Sequence, residues 1–160
     1  MLKKIITGIT FLSIILVLIT GCSTNTAKDS DNTTTTVAKP LFSGYWKSSY
    51  GDGFELSQTI FTAYDDTSKN ISFAGNIVNY PDLTLSSGAL IVKITNGGSW
   101  AKTPGKFYTV RWKGFSYTTV KESGAYKGGG LSEADTQAQA ESEYTEGNGY
   151  FGFYGDYIKQ

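Results

Sequence analysis

Gly44-Tyr45-Trp46-Lys47-Ser48-Ser49-Tyr50-Gly51-Asp52-Gly53 is the stretch on which the fold turns. Three large rings within seven residues suit a pleated sheet, and Gly-Asp-Gly then bends the chain. The reading is a strand over 44–50, with Trp46 and Tyr50 on one face. The same grammar continues downstream. Residues 54–57 and 60–64 read as two more short strands, and the polar run 65–70 turns the chain. Ile71, Phe73, Gly75 and Ile77 alternate with polar or small residues as far as Tyr80-Pro81-Asp82. Leu90, Val92 and Ile94 alternate before Asn96-Gly97-Gly98, and Tyr108, Val110 and Trp112 alternate between Pro104-Gly105 and Gly114. Residues 117–122 form a further strand, and 149–158 the last. About eight short strands separated by Gly and Asn turns predict an all-β, mainly antiparallel sandwich or barrel.

One segment departs from this period. Ser132-Glu133-Ala134-Asp135 has the form of a capping box, and Gln and Ala follow it up to Tyr144. A short helix over 133–143, just before the last strand, is the expectation. Its thin apolar face suits packing over one end or edge of the sheet.

Upstream of the domain the composition changes abruptly. Residues 23–40 read STNTAKDSDNTTTTVAKP, with no aromatic residue, whereas 22 of the 23 aromatics lie in 41–160. A polar tract of this kind has too little to bury and is expected to stay disordered. Before it, Lys3 and Lys4 precede an apolar run from Ile5 to Ile19, which ends at Thr20-Gly21-Cys22. A short basic region, an apolar stretch and a small-residue cleavage site form a secretory signal. The expected organisation is a signal peptide over 1–21, a disordered tether over 22–40 and one domain over 41–160.

Ile19-Thr20-Gly21-Cys22 resembles the lipobox of bacterial lipoproteins. That resemblance implies a diacylglyceryl group on the Cys22 thiol, acylation of the new amino terminus, and a membrane anchor in the cell envelope. Gly44-Tyr45-Trp46 resembles the Gly-any-Trp motif that opens lipocalin-like barrels, where the Trp closes the barrel floor. The Thr-Asp-Tyr motif of lipocalins is missing. The late Arg that packs on that Trp has one candidate, Arg111, the only arginine in the chain. A longer resemblance, to a group of small spirochaete-type lipoproteins, rests on residues 44–52, Gly105-Lys106-Phe107-Tyr108 with Trp112-Lys113, Val120-Lys121-Glu122-Ser123-Gly124-Ala125, and Tyr150-Phe151-Gly152. That group has no assigned activity. Together these resemblances imply an eight-stranded lipocalin-like barrel.

The chemistry is constrained by what is missing. The chain has no histidine, which removes the commonest general base and metal ligand. Its one cysteine is Cys22, so there is no internal disulfide, and no metal site or cofactor beyond the covalent lipid is expected. After cleavage the chain carries 12 basic and 14 acidic side chains, a net charge of −2, with no footprint for nucleic acid. Asp52 with Glu55, and Asp65 with Asp66, are the nearest carboxylate pairs, and each reads as turn chemistry rather than a catalytic pair. Gly128-Gly129-Gly130 lacks the Lys-Ser/Thr of a phosphate loop. No catalytic set emerges.

The aromatic content remains. Trp46, Tyr50, Phe73, Tyr108, Trp112, Phe151 and Phe153 are candidates for the interior, and core filling accounts for them without a ligand. If the barrel is hollow, Trp46, Tyr50, Tyr108 and Trp112 are the ligand-lining candidates, for a small apolar ligand, with Trp100 wetter in its loop. Three readings follow: a non-enzymatic binding lipoprotein, a surface interaction protein (adhesin or enzyme inhibitor) with a filled core, and, last, a carboxylate-dependent hydrolase.

Overall fold

A computed structural model describes residues 43–160. The expected signal peptide, the lipidation site at Cys22 and the tether lie outside the described residues. Eight strands form one closed antiparallel barrel in simple chain order. They are β1 (Gly44–Ser48), β2 (Gly53–Leu56), β3 (Ile60–Tyr64), β4 (Ile71–Asn79), β5 (Gly88–Asn96), β6 (Phe107–Lys113), β7 (Thr119–Gly124) and β8 (Gly155–Lys159). One helix, α1 (Gln137–Glu143), precedes the last strand. Closure comes from β8 pairing with both β7 and β1, Tyr157 lying opposite Val120 on one side and Ser48 on the other.

Register and alternation fix which side chains face inward. Following the pairs round the ring gives Trp46, Phe54, Ala63, Phe73, Ile94, Tyr108, Val110, Trp112, Val120 and Tyr157 as inward positions. Most of them are buried. The outward face carries Glu55, Lys93, Lys113, Lys121 and Asp156, all exposed. Apolar inside and charged outside is the inverse of a transmembrane barrel, whose lipid-facing band is apolar.

An eight-stranded barrel is just wide enough to be filled by side chains or to hold one small ligand. Here rings fill its lower part. Trp46 stacks on Phe54 at 6.2 Å, Phe54 on Phe61 at 5.8 Å, and Phe61 meets Phe73 at 5.5 Å. Trp46 also meets Phe115 of the β6–β7 connection edge-on at 6.1 Å, which puts it at the floor. Trp112 lies at the same end, against Gly88, where an added Cβ would approach the indole to 2.6 Å. Gly88 is therefore glycine because the ring occupies the space a side chain would need.

Several expected details are corrected. β1 ends at Ser48, and Tyr50 sits in the following turn with 95% of its surface exposed, so it does not share an inward face with Trp46. The Ser48 hydroxyl bonds Asp52 and accepts the Tyr50 N–H at 3.0 Å, which closes the strand early. The helix begins at 137 rather than 133. Thr136, not Ser132, is its cap, accepting the Gln139 N–H, while Ala134 makes a β-bridge to Phe107 instead. The last strand starts at Gly155 rather than 149, and Phe153 is 75% exposed. Arg111 faces outward, bonding Asp82 at 3.2 Å, and does not pack on Trp46. The cation over Trp46 is Lys159, 5.7 Å from the ring centroid. Gly44, at φ +124°, leaves room for the Lys159 stem that passes it. So the Gly-any-Trp motif works here with a lysine from the closing strand.

Candidate functional site: the barrel mouth

In an up-and-down barrel, alternate connections gather at opposite ends. The β1–β2, β3–β4, β5–β6 and β7–β8 connections form the mouth, opposite Trp46 and Trp112. Two hollows open there. The first has a volume of about 300 Å³ and is bounded by Asp52, Asp65, Glu122, Tyr157, Phe73 and Trp100 among others. The second, about 790 Å³, is wider and runs under residues 124–132, with Lys102, Tyr108, Tyr126 and Leu131 in its wall. Trp100, Gly124 and Phe153 belong to both and mark where the hollows meet. Volumes of this order match ligand sites, which span roughly 300–1,000 Å³.

Trp100 is held firmly although half of it is exposed. Its backbone N–H bonds the Ser72 carbonyl at 3.1 Å, and its ring stacks on Phe73 at 5.5 Å. Asp65 ties the loop down. It accepts the hydroxyls of Ser72 and Ser99, and these bonds, with one from the Trp100 indole, hold its carboxyl below the usual range against a small opposing effect of burial.

Opposite Trp100, the polar wall is a chain of groups. Ser48 donates to one Asp52 oxygen, and the Tyr157 hydroxyl donates to the other at 2.7 Å. Glu122 stands beside Tyr157 on the inward face of β7. It is half-buried and lines the smaller hollow. Burial pushes its carboxyl up to about 8, the Asp52 charge adds to the rise, and the Tyr157 hydroxyl works the other way. The Tyr157 hydroxyl is itself raised, first by burial and then by the carboxylates around it. In the second hollow, burial holds the Lys102 ammonium below its ordinary value. It lies 4.3 Å over the Tyr108 ring and donates to the Ser132 carbonyl at 2.9 Å.

The four residues named from sequence as ligand-lining are not brought together. Trp46 and Trp112 are buried at the floor and border neither hollow, and Tyr50 projects into solvent. Tyr108 alone lines a hollow, with its hydroxyl bonding the Ala125 carbonyl at 2.8 Å. Phe151 is buried outside the barrel interior, beside Arg111. Sequence reading missed Glu122, Tyr157 and Trp100. One signal was available: Glu122 shares the inward phase of its strand with Val120, which is an unusual place for an acid.

Fold and mouth together define a class: a closed, eight-stranded, lipocalin-like β-barrel with two hollows meeting at its mouth. Comparison with family models, with curated proteins and with solved structures finds no match.

Proposed function

We propose that this chain is an exported lipoprotein, anchored through Cys22, that binds a small ligand at the mouth of its barrel and catalyses no reaction. The observation that carries the reading is the pair of hollows meeting at Trp100, in a barrel whose remaining interior is filled with rings. Evolutionarily neutral core packing needs no such opening, because interiors otherwise fill to crystal-like density. The charged outer wall supports leaving membrane contact to the lipid. Two acyl chains anchor stably, at about 0.8 kcal/mol per buried CH₂, where one alone is marginal. The absence of histidine from the sequence supports a binding rather than a catalytic role.

Two measurements test this reading. Radiolabelled fatty acid fed to producing cells labels the wild type and not Cys22→Ala, which leaves the membrane fraction; equal labelling refutes the anchor. Tryptophan emission of the full-length protein in mild detergent is then followed during titration with hydrophobic dyes, lipids and small ring compounds. At least one class shifts the emission, Trp100→Phe removes the response, and Trp46→Phe and Trp112→Phe keep it. A silent titration across all classes overturns the binding reading.

One observation favours a second reading. Tyr126 and Phe153 are 64% and 75% exposed, and their ring centroids lie 6.2 Å apart on the rim. An exposed aromatic group of this kind marks interaction surfaces. A protein partner would cover that rim, and small molecules would then leave the emission unchanged.

A further inference from the structure

The ligand-binding reading above leaves the ligand's chemistry open, and the polar wall of the smaller hollow narrows it; the inference rests on that reading. Three carboxyl groups border this hollow and no basic side chain does. Two of them are provided for. Asp52 receives Ser48 and Tyr157, and Asp65 receives Ser72 and Ser99. The Tyr157 hydroxyl stands between Asp52, at 2.7 Å, and Glu122, and its single proton has to serve both carboxyl groups. As a carboxylate, Glu122 faces the hollow with only the hydrogen that Tyr157 shares with Asp52, at the cost that attends an incompletely satisfied buried charge. The rings of Phe73 and Trp100, stacked on each other, border the same hollow, and Trp100 is the exposed one of the two.

We propose that the mouth takes a protonated primary amine carried on a flat apolar ring. The ammonium donates to Glu122 and, at the same wall, to Asp52, giving the cationic donor that a lining without Lys or Arg does not supply. The ring lies against the exposed Trp100 indole, since an aromatic surface favours a neighbouring cation and an apolar body alike. The balance of protons is explicit. Below pH 8 the free protein holds Glu122 as the acid. Binding exchanges that proton for the ammonium, so Glu122–COOH and R–NH₃⁺ give the ion pair and one H⁺ released to solvent. The other titratable groups facing the hollow are Asp52, Asp65, Tyr64 and Tyr157. Lys102 and Lys127 line the adjoining hollow and disfavour placing the ammonium there.

The test is isothermal titration calorimetry of the full-length protein with phenethylamine, 2-phenylethanol and 3-phenylpropanoate, at pH 6, 7 and 9 in buffers of different ionisation enthalpy. The amine binds at least tenfold more tightly than the alcohol at pH 9. Below about 8 its affinity falls as the pH is lowered, by up to about tenfold per pH unit, with close to one proton released. The carboxylate binds least. Glu122→Gln removes both the preference for the amine and the proton release while leaving the alcohol's affinity in place. Should that variant fail to fold, the three-ligand comparison on the wild type decides the matter alone. Equal affinities for amine and alcohol, or tighter binding of the carboxylate, overturn the amine inference while the ligand-binding reading stands. If none of the three binds and the dye and lipid titrations are silent as well, the ligand-binding reading falls with it.

Discussion

Glu122 ties the mouth to the stability of the whole domain through linkage. Its carboxyl is raised from 4.5 to about 8 in the fold, chiefly by burial. Between those values the folded state holds a proton that the unfolded chain has released. The contribution to stability is therefore intact below about 4.5 and is lost as the pH climbs to 8, at up to about 1.4 kcal/mol per pH unit. Asp65 behaves in the opposite sense, its lowered carboxyl acting only as the pH falls below 3.8, which leaves the window from 5 to 8 to Glu122. Thermal melts should show the midpoint falling from pH 5 to pH 8 in the wild type and a flatter course in Glu122→Gln. Parallel curves for the two proteins would remove Glu122 from the account. At this scale the sequence was legible where a side chain has one option. Trp46 and Trp112 read as interior and are interior. Glu122 was not legible, because its role depends on Asp52 and Tyr157, which the ring closure brings to it from 70 and 35 positions away.

Among the elements, β5 and β6 are buried on both faces over their middle residues, and this explains their composition there. Inward, Leu90, Val92, Tyr108 and Val110 fill the barrel; outward, Ile91 and Thr109 are buried as well, with α1 lying against these two strands. The fit is imperfect at two atoms, since the Thr109 and Tyr144 hydroxyls have no hydrogen-bond partner. Thr109→Val keeps the shape and removes the unpaired group, so it is expected to raise stability by about 1 kcal/mol. Tyr150 gives the contrast. Its hydroxyl receives the Leu131 N–H at 2.7 Å and donates to Glu143 at 2.8 Å, with the ring fully buried. Tyr150→Phe strands the Leu131 N–H and is expected to cost about 1–3 kcal/mol. Urea denaturation of the two variants checks both, and opposite signs are the expected outcome. Strand periods were read well from the sequence where one face is polar, as in β4. The ends were read less well. Gly149 to Tyr154 carries four rings in six residues, a composition that suits a strand, yet Tyr150 is drawn inward by its hydroxyl bonds and the chain runs outside the ladder. The helix start slipped by four because Ser132 and Thr136 offer the same capping chemistry, and the Ala134–Phe107 bridge selects the second.

For the molecule as a whole, the barrel follows from many short strands in up-and-down order, and that much could be read directly. Closure could not, since it depends on Trp46 finding Lys159, a pairing across more than a hundred residues. It is also the point on which the fold's integrity rests. Removing 155–160 takes away Tyr157 and Lys159 and leaves β1 and β7 as unpaired edges, which are templates for association. The truncated chain is expected to elute as aggregate on size exclusion and to lose its cooperative thermal transition; a monomer melting like the wild type would contradict this. The seam has a consequence for biogenesis. During synthesis, every described element but β8 emerges before the ring has its closing member. For a chain exported in the manner proposed, tertiary locking is deferred until residue 159 has cleared the channel, so the polypeptide stays threadable for the whole of its transit.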